Sequence, residues 1–447
     1  MTFWLADGEV AGQPLRILVL GAYGLIGGAV VDRLAAAGHR VTGLGRQVAA
    51  AALARPHIAW LACDIATCTR PADWAPLIAG FDAVVNCAGA LQDGPRDDVR
   101  AVQETAMLAL WQACAAAGTR RVVQVSAAGA TADAPTPFMR SKAVADAALA
   151  RLDLDWVVLR PGLVWAPTAY GATALLRALA AWPGALPLPL PLADARLQTI
   201  AVEDVADAVL AAAEGRIPAR RAYDLLEAES HSLAALLVAL RRWSGRAPLR
   251  IRPAPAVLAR LATAGCDVLG RLGWRAPLRS TALAEIARGI RGDPGPWMAA
   301  GGPPIATLAE TLRHHPATVQ DRWFGRMWLM RPLLIGGLAV FWLASGAIAL
   351  ARPEAVAAVL AARGMAPAPA MALVLGGAVL DLALGALVLA RRTMPAAALG
   401  MLAVSAGYLL GGTLLAPDLW GDPLGPLVKV LPAMLPAAVL LALAEDR

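Results

Sequence analysis

Gly21-Ala22-Tyr23-Gly24-Leu25-Ile26-Gly27 lies between a short apolar run, Leu15 to Leu20, and a helix-compatible stretch through Ala29 to Leu34. Glycines at this spacing suit one kind of chemistry. The first permits a tight turn, the second lets backbone approach a phosphate, and the third lets helix pack closely on strand. The free N–H groups of the helix N-terminus then face the anion. Gly21, Tyr23, Gly24, Leu25, Ile26 and Gly27 are therefore expected to cradle the pyrophosphate of a dinucleotide.

Three further positions extend the same site. After the second apolar run comes Gly43-Leu44-Gly45-Arg46, where an NAD-preferring protein would carry Asp or Glu for the ribose hydroxyls. Arg46 suits a 2′-phosphate instead, so NADP is the expected cofactor, with NAD the alternative. Asp64 and Ile65 fall where the adenine would lie, Asp64 accepting from its amine. Asn86-Cys87-Ala88-Gly89 ends the fourth run with small residues, so Asn86, Ala88 and Gly89 can approach the cofactor closely. Each group alone is ordinary turn chemistry; together they describe a nucleotide site.

Such residues must be carried by strand ends. Short apolar runs at Leu15–Leu20, Arg40–Leu44, Ile58–Leu61, Ala83–Asn86, Arg121–Val125 and Trp156–Leu159 alternate with amphipathic stretches. Repeated βα units of this kind predict an α/β fold, a doubly wound parallel sheet of the Rossmann type, over residues 15–228. The Pro-rich stretch Leu186 to Leu192 is too interrupted for a helix and reads as a loop or cap over the substrate side. Residues 229–320 form a substrate or cap region, in which Ser230-His231-Ser232 caps a helix from Leu233 to about Trp243. His231, His314 and His315 show no metal-ligand spacing and read as capping or interfacial groups, so no metal is expected.

Composition divides the chain of 447 residues. A hydrophobic fraction of 58% and a mean hydropathy of +0.57 exceed what a soluble protein carries, and the excess lies beyond Arg331. Apolar segments at Pro332–Ala351, Ala368–Ala390, Ala396–Leu415 and Leu424–Leu443 each reach the ~20 residues that cross a bilayer, which predicts a C-terminal four-helix transmembrane bundle within 325–447. Arg322, Arg326 and Arg331 precede the first segment and Arg391-Arg392 follow the second, so both termini and the nucleotide domain are expected in the cytoplasm of a bacterial inner-membrane protein. Arg352 and Arg363 in the first outer loop oppose that assignment. The charge of +7 is scattered, without an aromatic-interleaved basic patch, which argues against nucleic acid. Five cysteines without CxxC spacing fit reduced thiols, and residues Met1 to Pro14 lack the basic start of a secretory leader.

With Gly21, Gly24, Gly27, Asn86 to Gly89, Ser126, Lys142 and Leu159-Arg160-Pro161-Gly162, the chain resembles the short-chain dehydrogenase/reductase superfamily. The similarity is to its extended or atypical branch, near epimerases and the nucleotide-binding accessory subunit of respiratory complex I. Ile200 to Ala206 resembles the family's late strand-to-helix turn. The resemblance implies a Tyr four residues before Lys142 as acid/base group, with the Lys holding the nicotinamide ribose, and a Ser that polarises the substrate. Phe138 stands in the Tyr position, and a phenyl ring carries no exchangeable proton. Lys142 and Ser126 remain as candidate catalytic residues, although Ala127 and Ala128 follow Ser126; Thr131 and Tyr170 are possible substitutes for the missing hydroxyls. Ala416 to Lys429 resembles the last loop and helix of DoxX-like four-helix membrane domains, some of whose relatives accompany quinone-linked oxidoreductases. Asp381 should face the bundle, Lys429 should snorkel, and Trp420 should anchor at the interface.

Two functions follow. One is a membrane-anchored NAD(P)-binding oxidoreductase for an unknown, lipophilic small-molecule substrate. The other is a non-catalytic NADP(H)-binding assembly or redox-sensing module, like the complex I accessory subunit. The implied partners are the lipid bilayer and a quinone or respiratory component.

Overall fold

The computed structural model describes residues 13–444 except 92, 95–97, 120, 186 and 275–279. Residues 1–12, on which the leader expectation rests, and Leu186 of the Pro-rich run lie outside the described residues. The chain gathers into two compact units, Met1–Asp267 with Pro277–Arg322, and Val268–Ala276 with Trp323–Arg447.

The first unit is built on a parallel sheet of seven strands: β1 (Arg16–Leu20), β2 (Arg40–Gly45), β3 (Ala59–Ala62), β4 (Ala83–Asn86), β5 (Arg121–Val125), β6 (Asp155–Pro161) and β7 (Arg221–Leu225). The spatial order β7-β6-β5-β4-β1-β2-β3 reverses direction between β1 and β4, so a crevice opens at the carboxyl ends of these two strands. Ile17, Leu18, Val19 and Leu20 are all fully buried, which is why β1 reads as a continuous apolar run rather than an alternating one. Helices Leu25–Ala36 and Val202–Ala213 close one face over Ile17 and Val19. On the other face, Pro71–Ile78 and Ala106–Ala117 bring Trp74 and Trp111 against Leu18 and Leu20. The expected doubly wound sheet is present, with β7 added to the strands read from sequence.

The Pro-rich run departs from the loop reading. Leu188–Leu190 is a strand, parallel to Ile251–Pro253, with Leu188 and Leu190 buried and Pro189 outward. Proline is tolerated there because this two-stranded ribbon is all edge and the prolines alternate away from the core. The helix Leu233–Trp243 forms as expected, with the Ser232 hydroxyl accepting from the Ala235 amide at 3.0 Å.

Glu227 stitches the end of this unit together. Its buried carboxylate accepts from the Thr199 amide at 3.2 Å, the Thr199 hydroxyl at 2.5 Å and the Leu308 amide at 2.9 Å.

The second unit is helical. Val319–Ala351, which crosses the boundary between the two units, Pro367–Leu387 and Met394–Leu415 are long and apolar enough to cross a membrane. Pro426–Ala442 has 17 residues and contains Pro432 and Pro436, so among the described residues the expected four full-length spans are corrected to three plus one shorter apolar helix. Asp381 is buried among these helices as expected, accepting from the Ser345 hydroxyl at 2.7 Å and the Tyr408 hydroxyl at 3.3 Å. Three helices thus share one buried carboxyl, which satisfies its polarity inside an apolar bundle.

Replacing Glu227 by Ala leaves the Thr199 and Leu308 donors unpaired in the interior. The expected loss is about 3 kcal/mol of stability, read as a lower thermal midpoint and lost hydrogen-exchange protection at these two amides. Unchanged protection would refute the stitch.

Candidate nucleotide site

The turn after β1 is shaped by what its backbone cannot accommodate. Gly21 has φ +67°, and a Cβ on it would lie 2.8 Å from the Ala88 backbone at the end of β4. A Cβ on Gly27 would lie 2.2 Å from the Gly21 carbonyl oxygen. Glycine at these two positions is what lets β1, β4 and the first helix converge. Gly24 is the N-cap of that helix and provides no side-chain cap. The first helical bond runs from the Gly28 amide to the Gly24 carbonyl at 2.9 Å, so the amides of Leu25, Ile26 and Gly27 precede the ladder. Amides left outside the ladder at a helix N-terminus are able to hold an anion such as a phosphate.

Around the cradle the other expected residues lie at strand ends. The Tyr23 ring lies so close over Gly45, at the end of β2, that a Cβ there would meet it at 2.3 Å. Arg46 follows on the exposed side. Asp64 caps the turn Ile65–Thr67, accepting from the Ala66 amide at 3.2 Å, and Ile65 is buried beneath it. Asn86 donates to the Gln124 side chain at 2.8 Å and accepts from the Ala88 amide at 2.9 Å, so it shapes the β4 turn. At Gly89 a Cβ would lie 3.7 Å from the Lys142 Nζ and 3.9 Å from the Gln103 side chain. Gln103 Oε1 is buried without a partner at this point. An open glycine, an ammonium and an orphaned acceptor suit a ligand with hydroxyl groups, as a nicotinamide ribose is.

The helix Pro137–Leu149 brings Lys142 here. Thr136 caps it, accepting from the Met139 amide at 3.3 Å, and Pro137 occupies its first position. Lys142 Nζ is buried, donates to the Val125 carbonyl at 3.0 Å and lies 5.6 Å from the Phe138 ring centroid one turn away. Burial pushes the Lys142 ammonium below its ordinary value, against the opposing pull of Asp146. Burial likewise pushes the Asp146 carboxyl up, opposed by Ser126, Arg160 and Lys142.

Ser126 is buried at the end of β5 and donates its hydroxyl to Asp146 at 2.8 Å. Arg160 donates to the same carboxylate oxygen at 3.3 Å. Asp146 was not singled out in the sequence, although its place four residues after Lys142 puts it on the same helix face. Phe138 packs with Ala130, Ala134 and Met139 and offers no proton. Tyr170 is exposed before the helix Gly171–Ala180, and Thr131 is exposed in the loop after β5.

Glu227, Glu229 and His231 bring ligand atoms within 4.8 Å of one another, a convergence that the sequence reading did not find. Both Glu227 oxygens already serve Thr199 and Leu308, which makes the group a polar stitch.

A seven-stranded doubly wound sheet with this cradle defines an NAD(P)-binding protein, here joined to a membrane unit. Residues 21–216 match the NAD(P)H-binding family and residues 339–438 the DoxX-like family. A 3-diazoavenalumate denitrifying reductase from Streptomyces is 33% identical over 271 residues, covering 54% of this chain and 85% of that protein. The chain therefore belongs to the family of NAD(P)H-binding proteins that includes this reductase, with a DoxX-like membrane domain at its C-terminus. The fold is shared with UDP-glucose 4-epimerase of Thermus thermophilus in complex with NAD, at 22% identity and TM-score 0.50 over 67% of this chain and 98% of that one. It is also shared with the NADPH-dependent quinone oxidoreductase QOR2 of Escherichia coli complexed with NADPH, at 20% identity and TM-score 0.52 over 67% and 99%.

Lys142→Met removes a buried ammonium and keeps the length of the side chain. In the native protein the unfolded chain binds the extra proton between the lowered Lys142 value and its ordinary 10.5, so stability rises with pH across that window. The variant is expected to lose this rise, and to bind NADPH about tenfold more weakly, on the order of 1.4 kcal/mol. Thermal midpoints against pH and equilibrium dialysis check both; an unaltered affinity would remove Lys142 from the site.

Proposed function

We propose that the protein is a membrane-anchored, NADPH-dependent reductase whose acceptor takes hydride without needing a proton from the position that Phe138 fills. One observation supports this reading: Lys142 lies beside the β4 end that packs on the glycine turn, and the ring next to its ammonium is a phenyl without a hydroxyl. In this reading Gly21, Tyr23, Gly24, Leu25, Ile26 and Gly27 hold the pyrophosphate, and Arg46 takes the 2′-phosphate. Asp64 and Ile65 flank the adenine, Asn86, Ala88 and Gly89 keep the β4 end open, and Lys142 orients the ribose. The bound nicotinamide supplies the hydride.

A ketone would leave an alkoxide that needs a proton at once, and Ser126 gives its hydroxyl to Asp146. A strongly electrophilic acceptor has no such need. An aryl diazonium takes up hydride and releases dinitrogen with no proton added, and the name of the Streptomyces relative points to this class of acceptor. Among acceptors that take hydride without a proton in the step, the membrane domain favours a neutral, lipid-soluble quinone over the cationic diazonium.

The second reading is a non-catalytic NADP(H)-binding assembly or redox-sensing module, favoured by the same Phe138. Single-turnover loss of nicotinamide absorbance separates the two. Diazo and quinone acceptors are expected to oxidise bound NADPH while simple carbonyls do not; tight binding with no turnover on any acceptor would favour the module.

Arg46→Asp is expected to shift preference toward NADH by about tenfold, on the order of 1.4 kcal/mol, in competitive binding. Equal native affinities for the two nucleotides would count against the NADP assignment. The orientation we propose is multi-pass in a bacterial inner membrane, with both termini cytoplasmic, which has the 17-residue helix Pro426–Ala442 cross as a fourth, short span. Arg322, Arg326, Arg331, Arg391 and Arg392 on the cytoplasmic side outnumber Arg352 and Arg363 in the first outer loop, which supports this orientation.

A further inference from the structure

The helix Ala256–Arg271 carries its apolar stripe on the outside. Val257, Leu261, Val268 and Leu272 follow at i, i+4, i+11 and i+15, one line along the helix and just past its end, and are 57%, 66%, 56% and 41% exposed. Ala264 and Gly265 lie on the same line. Thr263 and Gly270, on the opposite side, are buried. A helix of a soluble domain is arranged the other way, with its apolar stripe inward.

The end of this helix is tied to the membrane unit, to which residues Val268–Ala276 belong. Trp274 Nε1 donates to the Leu389 carbonyl at 2.7 Å, and the Arg391 amide donates to the Leu272 carbonyl at 3.2 Å. Leu389 and Arg391 come directly after the span Pro367–Leu387. Arg391 and Arg392 are adjacent charges, so the hydrocarbon must end there. Leu272 and Trp274 of the membrane unit therefore lie at the level where lipid headgroups meet acyl chains, a boundary that Trp as a residue type prefers.

We infer that the helix Ala256–Arg271 is a membrane-surface helix that lies in the plane of the bilayer, its stripe from Val257 to Leu272 set into the acyl boundary. With 16 residues it is shorter than the ~20 that cross a bilayer, so it lies on the membrane rather than through it. Arg260 is exposed beside the stripe, and Arg250 and Arg252 precede the helix, which suits anionic headgroups. The occupant of the stripe is thus the phospholipid surface itself. The inference rests on the membrane unit and not on catalysis, so it stands or falls apart from the reductase reading.

The test uses the full chain in vesicles of phosphatidylethanolamine and phosphatidylglycerol that contain a phospholipid with a diazirine high on its acyl chain. After irradiation and trypsin cleavage, adducts are expected on the peptide Leu261–Arg271, several-fold above those on Ser280–Arg288, which holds the buried Ala282 and Glu285. The double substitution Leu261→Asp with Val268→Asp should remove the adducts while NADPH binding persists, which also reports that the nucleotide unit is folded. Adducts confined to the spans, or stronger labelling of Leu261–Arg271 by a water-soluble carbene reagent than by the lipid, would overturn the inference. A cross-link between two copies of the chain through this segment would overturn it as well.

Discussion

The first unit depends on a contact between backbones. At the end of β1 the chain passes within van der Waals distance of β4 and of the first helix, and Gly21 and Gly27 leave no room there for a Cβ. That closeness brings the first-turn amides of the helix to the crevice between β1 and β4, and a buried strand holds them rigidly. The electrostatics of the site follow from it, because an amide that precedes the helical ladder seeks an anion. The sheet order, the small residues at the end of β4 and the position of Lys142 are arranged around this point.

The polar groups beyond the cradle are tied to one another more than they are free to act. Asp146 collects Ser126 and Arg160, Lys142 reaches the Val125 carbonyl, and Asn86 bridges Gln124 and Ala88. Such a set fixes the ends of β4 and β5 and keeps an ammonium buried. It contains no phenol, and Phe138 lies against Lys142 where a phenol would have to be. We connect this with an acceptor that supplies its own driving force and takes hydride alone. In the membrane unit Asp381 has a comparable part, joining three helices through two hydroxyl donors.

Much of this was legible in the sequence because it is local. The strand runs, the glycine turn and the Ser232 cap each depend on a few neighbouring residues, and β4 and β5 lie where their apolar runs put them. What could not be read depends on distant partners. Leu188–Leu190 becomes a strand only because Ile251–Pro253 lies beside it, and local proline content says the opposite. The direction of the Ser126 hydroxyl is decided by Asp146, twenty residues on. The Glu227 network joins Thr199 to Leu308, more than a hundred residues apart in sequence. Hydropathy registered the last apolar segment as a full span, while its helix starts only at Pro426 and ends at Ala442.

The most direct test is the pH profile of single-turnover oxidation of bound NADPH by a quinone acceptor, in the native protein and in Phe138→Tyr. We expect a rate independent of pH in the native protein, because no side chain there donates a proton in the step. The Tyr variant should gain a pH-dependent limb together with activity on simple carbonyls. A native profile that already falls with rising pH, as the loss of an essential acid would give, would contradict the account.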